Sequence, residues 1–184
     1  MLVAALALLL VASVSFVANY EPLRFLGGGS GVDAHVVARQ FDAYVPTGES
    51  FTQVELDHHP GQTFFFAFDV TNDGPLPVTI THIGPSNDNT GPYRISGVRL
   101  GPPVMRADTY SRGASTPFQP FALPGHAMRY VWIDAEFVGC LQRSTGAIFG
   151  TMPMTFTVFG VTRQTEFVMP MTIVISGTAD PSCP

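Results

Sequence analysis

Thr63-Phe64-Phe65-Phe66-Ala67-Phe68-Asp69-Val70-Thr71-Asn72-Asp73-Gly74-Pro75-Leu76-Pro77-Val78-Thr79-Ile80-Thr81-His82-Ile83 decides the fold class. Phe64, Phe66, Phe68 and Val70 alternate onto one face. Val78, Ile80 and His82 do the same on the return, with Thr79 and Thr81 pointing away. Period-two alternation marks a strand with one buried face. Asn72-Asp73-Gly74-Pro75 supplies turn chemistry: Asn and Asp tolerate left-handed backbone, Gly allows positive φ, and Pro ends pairing. The stretch predicts a β-hairpin at the centre of an antiparallel β-sandwich.

Further strands follow outward from it. Ala34–Val45, with β-branched Val36 and Val37, reads as a first strand, and Phe51–Leu56 as a second. Asp57–Gly61 is a loop, and Gly84–Pro92 a long turn rich in Pro, Ser, Asn, Asp and Gly. Tyr93–Leu100 is a short strand, and Gly101–Leu123 is a proline-rich excursion across a sheet edge. Gly125–Val138 is a strong strand: Met128, Tyr130 and Trp132 share one face, while Arg129, Val131 and Ile133 share the other. Thr151–Phe159 and Thr162–Ser176 complete the set, the latter with Phe167, Met169, Met171, Ile173 and Ile175 on one face. Short strands at repeated spacing fit a sandwich. No amphipathic helical pattern of useful length follows residue 34, which excludes Rossmann and TIM architectures.

The chain has 184 residues, and charged residues make up only 12% of it, against roughly 25% in average domains. All nine positive residues are arginine, scattered singly, and the net charge is −5. Without a basic patch, nucleic-acid binding is excluded as a working idea. So few charges favour a covering partner.

Residues 1–18 are apolar on all sides, and the helix they predict is taken as residues 1–19. Eighteen helical residues span about 27 Å, close to the hydrocarbon thickness of a bilayer. A retained transmembrane signal-anchor helix is the leading expectation, and a cleaved signal peptide the alternative. Residues 20–33, with Pro22 and Gly27-Gly28-Gly29-Ser30-Gly31, read as a flexible linker, leaving 34–184 as the β-sandwich domain. Arg24 and Arg39 lie after the apolar segment and nothing positive precedes it, which by the positive-inside rule alone would put the domain in the cytoplasm.

Phe68-Asp69-Val70-Thr71-Asn72-Asp73-Gly74-Pro75-Leu76-Pro77-Val78-Thr79-Ile80 resembles the Asn-x-Gly hairpin of bacterial immunoglobulin-like domains. Cys140, Phe156-Thr157-Val158-Phe159-Gly160-Val161-Thr162-Arg163 and Cys183-Pro184 resemble uncharacterised actinobacterial exported or membrane-anchored proteins. The resemblance implies an immunoglobulin-like sandwich on the extracytoplasmic side of the cell membrane, and transfers no catalytic residue. Cys140 and Cys183 are the only cysteines. An even count in an exported chain reads as one disulfide, against the alternative of two free thiols in a cytoplasmic protein.

Four constellations could carry chemistry. His126-Ala127-Met128, Met152-Pro153-Met154, Met169-Pro170-Met171 and the vicinal pair His58-His59 offer thioether and imidazole ligands of the kind Cu(I) takes, with Met105 upstream. Against copper, both Met-Pro-Met pairs sit on strands whose alternation sends methionine into the core, where it fills gaps between Phe rings. Asp134 and Glu136 share a strand face at a separation that paired carboxylates could use, but a solvated face explains them as well. His82, on the apolar side of its strand, is expected to be a hydrogen-bonded core histidine. Asn87-Asp88-Asn89 offers oxygen ligands for calcium without the EF-hand spacing. No nucleophile, base and orienting group assemble, so the expectation is no enzyme, no cofactor and no metal.

The leading functional expectation is a non-catalytic accessory or stabilising subunit of a larger cell-envelope membrane complex. An exported copper-handling protein using His126, Met128, Met152 and Met154 is the alternative, followed by a free surface ligand-binding module.

Overall fold

A computed structural model of the chain describes residues 11, 14–16, 19–24, 31–32, 35–44, 50–84, 91–104, 112–141 and 146–177. The strands are β1 Leu23–Arg24, β2 Gly31–Val32, β3 Val37–Tyr44, β4 Ser50–His58, β5 Thr63–Asn72, β6 Val78–Ile83, β7 Tyr93–Val104, β8 Thr116–Pro117, β9 Phe121–Leu123, β10 Met128–Phe137, β11 Gly146–Val158 and β12 Val161–Gly177. One sheet runs β1-β5-β10-β7-β8, with β2 beside β1 along the edge of β5; the other runs β3-β4-β12-β11-β6-β9. All pairs are antiparallel except β4 with β12, which is parallel.

The two sheets share one core. Phe64, Phe66, Phe68 and Val70 of β5 and Val131, Ile133, Ala135 and Phe137 of β10 enter it from the first sheet. Val54, Leu56, Ile80, Met152, Met154, Phe156 and the β12 series Phe167–Ile175 enter from the second. Phe64 stacks on Phe137 with centroids 4.5 Å apart. The alternation read from the sequence in β5 and β12 is thus the alternation of the core, and the chain is a mostly antiparallel all-β sandwich.

The expected hairpin does not form. β5 and β6 belong to different sheets and do not pair; β5 pairs with β10 and β1, and β6 with β11 and β9. Their apolar faces meet across the core. Residues 73–77 form an arch between the sheets because their backbone groups are engaged elsewhere. Asn72 N–H donates to Ala127 O at 2.9 Å and Asp73 N–H to Pro22 O at 2.9 Å. Pro75 and Pro77 have no N–H to offer a ladder. A second arch, residues 124–127, takes β9 of the second sheet to β10 of the first and lies against the first arch.

His82 corrects a second expectation: it is exposed, and Ile83 is buried instead. His82 pairs with Thr155 and Ile80 with Phe156, leaving Thr81 as an extra residue in β6. This bulge reverses the alternation beyond it. The linker expectation also changes at its flanks. Leu23–Arg24 and Gly31–Val32 pair with β5, and the Tyr20 hydroxyl accepts the Leu76 N–H at 3.0 Å. Arg163 donates to Tyr20 O at 2.6 Å and to Glu21 at 3.1 Å. Residues 25–30 and 33–34 lie outside the described set. So does most of 1–19, of which Val11, Val14, Ser15, Phe16 and Asn19 are helical. Among the described residues no helix is long and apolar enough to cross a membrane.

Candidate functional site

The ligand candidates are dispersed by the sandwich. Alternation on β11 and β12 sends Met152, Met154, Met169 and Met171 into the shared core, each at most 4% exposed. Met128 lies on the opposite, outer face of β10, against Ala67, Tyr130 and Trp132, so the first sheet separates it from the core methionines. His126 is exposed in the second arch, with φ 59°. The described residues contain no group of three His, Cys, Asp or Glu side chains that could hold a metal ion. Met105 and Asn87-Asp88-Asn89 lie outside the described residues.

The vicinal histidines part company. His59 is exposed, whereas His58 is 1% exposed at the end of β4. Its Nε2 faces Pro92 O at 3.1 Å and Val138 O at 3.3 Å, carbonyls one residue before β7 and one residue after β10 of the other sheet. Two acceptors require Nε2 to carry the proton. The ring packs on Phe137, 5.1 Å between centroids. His58 therefore fills the structural part expected of His82.

Of the carboxylates, Glu136 is ion-paired with Arg94 of the neighbouring strand at 2.8 Å. Asp134 is half-buried beside Gly97. Asp69, on the outer face of β5, is 1% exposed, and its Oδ1 has no hydrogen-bond partner; neither has the buried Thr71 hydroxyl. Burial pushes the Asp69 carboxyl up, partly offset by its own backbone amide. The neighbouring Tyr130 hydroxyl is raised by burial and then by the Asp69 charge. Cys140 is exposed at the end of β10, with no free cysteine among the described residues; Cys183 lies outside them.

Two surface features emerge that the sequence did not single out. The first is the tip of the β11–β12 hairpin. Val158 pairs with Val161 across the two-residue turn Phe159-Gly160. Both turn residues have positive φ, 47° and 78°, as a type I′ turn requires. Asn or Asp ordinarily holds the first position; here it is Phe159, 69% exposed. A Phe in the left-handed region costs about 1 kcal/mol, and this one gains no burial in return. Val161 and Val168 are exposed on the same hairpin.

The second is a cavity where the chain passes from β8, an edge of the first sheet, to β9, an edge of the second. Phe118 turns into the core, its N–H donating to Val98 O at 2.8 Å. The residues around it stay outside and, with Arg129, line an open cavity of ≈ 390 Å³. The Arg129 guanidinium lies 4.6 Å over the Phe121 ring, and its Nε donates to Gly101 O at 2.8 Å. Burial lowers its pKa. A signal was present: Arg129 alternates onto the face of Val131 and Ile133, and a cation on an apolar strand face demands an explanation.

No protein-family model matches the sequence, and no curated protein matches it. Among solved structures, the chain is similar to a family 123 glycoside hydrolase from Clostridium perfringens, with TM-score 0.39 and 8% identity over 88% of this chain and 28% of that one. It is also similar to an exo-β-N-acetylglucosaminidase from Vibrio harveyi, with TM-score 0.32 and 12% identity over 87% of this chain and 20% of that one. The chain thus corresponds to less than a third of either enzyme.

Proposed function

We propose that the protein is a non-catalytic accessory or stabilising subunit of a cell-envelope membrane complex. Its immunoglobulin-like sandwich stands on the extracytoplasmic side, tethered by the apolar helix of residues 1–19 and closed by a Cys140–Cys183 bridge. The observation that carries the docking part is Phe159. A large aromatic side chain is held out at a hairpin tip, in a backbone conformation that disfavours it, with the exposed Val161 two residues on. Such a residue adds nothing to the fold and suits an anchor that a partner covers. Among the groups that could have argued for catalysis or metal handling, Met152, Met154, Met169 and Met171 lie in the shared core with Phe66, Phe68 and Phe156, His58 hydrogen-bonds to the ends of the other sheet, and Glu136 pairs with Arg94.

The test is purification of the tagged full-length protein from its native membrane in mild detergent, with mass spectrometry of what co-elutes. The expected result is a stoichiometric set of multi-span membrane proteins that is lost or weakened in Phe159→Ser. Wild-type protein eluting alone would remove the proposal.

A further inference from the structure

We propose that the cavity between β8, β9 and β10 binds a carboxylate carried on an apolar body, with Arg129 as its cation. The inference stands apart from the accessory role. Arg129 is half-buried, yet among the described residues no carboxylate pairs with it, and the one hydrogen bond its guanidinium makes to them is from Nε to Gly101 O. Its two Nη groups are left as donors in a partly desolvated setting. A desolvated guanidinium binds a carboxylate far more strongly than one in water, because two parallel charge-assisted hydrogen bonds form where water competes poorly.

Two fixed contacts aim the group. The Phe121 ring lies 4.6 Å below Cζ and the Gly101 carbonyl holds Nε, so less rotamer entropy remains to be lost on binding. The walls beside it, Leu100, Pro117, Pro120 and Phe121, are apolar, while Thr116 and Gln119 add polar groups. At ≈ 390 Å³ the cavity lies within the usual range for small-ligand sites, roughly 300–1,000 Å³. One arginine in a protein of net charge −5 matches a monoanion better than a phosphate dianion or polyanion. The carboxylate can come from the C-terminus of a polypeptide or from a small apolar acid; the recognition chemistry is shared.

Isothermal titration of the full-length protein in mild detergent tests this with three probes: N-acetyl-Ala-Ala-Leu with a free carboxylate, the same peptide as its C-terminal amide, and 3-phenylpropionate. At least one of the two carboxylates is expected to saturate the protein, with the amide at least about tenfold weaker than the free peptide or not binding. Arg129→Gln is expected to weaken carboxylate binding by about tenfold or more. Because that change also removes contacts to Phe121 and Gly101, Gln119→Glu serves as the second variant. Residue 119 is exposed at the cavity wall, so the new charge repels the ligand without touching the core. A tighter peptide identifies a chain terminus as the source, and a tighter 3-phenylpropionate a small acid. The proposal is overturned if neither carboxylate binds up to about 10 mM, if acid and amide peptides bind equally, or if Gln119→Glu leaves carboxylate affinity unchanged.

Discussion

The side-chain nitrogen of Asn72 donates to the carbonyl oxygen of Leu123 at 3.1 Å, tying the arch that leaves β5 to the arch that enters β10. The same nitrogen reaches Leu76 O at 2.8 Å and Pro124 O at 3.0 Å, while the side-chain oxygen accepts the Gly74 N–H at 3.1 Å. Asn72 is 0% exposed. One amide thus serves both crossings between the sheets.

Asn72→Ala takes the side-chain donor from the buried Leu123 carbonyl and from the part-buried Leu76 and Pro124 carbonyls, and a buried acceptor left without a donor costs about 1–3 kcal/mol. The expected loss is about 3 kcal/mol, read as a fall in urea midpoint with an unchanged slope. Asn72→Asp is expected to be no milder, because it turns an acceptor toward three carbonyls. An aspartate variant as stable as wild type would show that these bonds do not hold the arches.

The arches also approach closely at Gly125. A Cβ there would lie 2.5 Å from Pro75 O and 2.8 Å from Gly74 O. Both obstacles are backbone and cannot swing aside. Gly125→Ala is expected to destabilise by about 3 kcal/mol through overpacking. Gly61→Ala is the comparison: Gly61 has φ 78° but open space around its Cβ position, so only backbone strain of about 1 kcal/mol applies. Thermal or urea unfolding of the two variants should rank them in that order.

Glu55 and Asp69 set opposite pH dependences. The Arg39 guanidinium and then the Ser176 hydroxyl hold the Glu55 carboxyl below its ordinary range. Its contribution is present above the unfolded-state value and is lost as pH falls through the depressed one. Arg39 is largely exposed, so the effect is modest. In Glu55→Gln, the deficit relative to wild type is expected to shrink on acidification.

Asp69 has a raised pKa, so the folded state favours the neutral acid. Stability from that source is full below the ordinary value and is lost as pH rises through the raised one. Asp69→Asn is therefore expected to gain on wild type as pH rises, by about 1–2 kcal/mol at neutrality. Denaturation midpoints across about pH 2–7 check both carboxylates, Glu55 below its ordinary value and Asp69 above its own; a pH-independent difference for either variant contradicts its assignment.

For the proposed Cys140–Cys183 bridge, intact mass of exported protein under non-reducing conditions should show no free thiol. Cys140→Ser, or reductant on wild type, should then destabilise by about 4 kcal/mol, the loop-closure figure for a span of this length. Two free thiols in the exported protein would remove the bridge from the account.

Much of the strand content was legible in the sequence because alternation is local. Phe64–Val70 and Phe167–Ile175 each bury one side of a pleat, and period two records it. Partner choice was not legible. Asn-Asp-Gly-Pro is as good a start for an arch as for a hairpin, and the difference lies in where the backbone hydrogen bonds go. Ala127, Pro22 and His126 supply those partners from distant parts of the chain. His82 failed for a related reason: one extra residue in β6, visible only opposite Thr155 and Phe156, reverses every side chain beyond it. Likewise, single arginines look alike in a sequence, and Arg129 stands out only once Phe121 lies beneath it.

The sequence by itself determined most of the longer strands, the faces of the main core strands, and the burial of the Met-Pro-Met methionines, because each follows from the identities of near neighbours and a backbone period. Only the tertiary structure decided which strands share a sheet, which histidine is buried, and where a cation meets an apolar cavity. Those outcomes depend on pairing between segments far apart in the chain, where one bulge or one diverted N–H changes the answer without changing the local pattern.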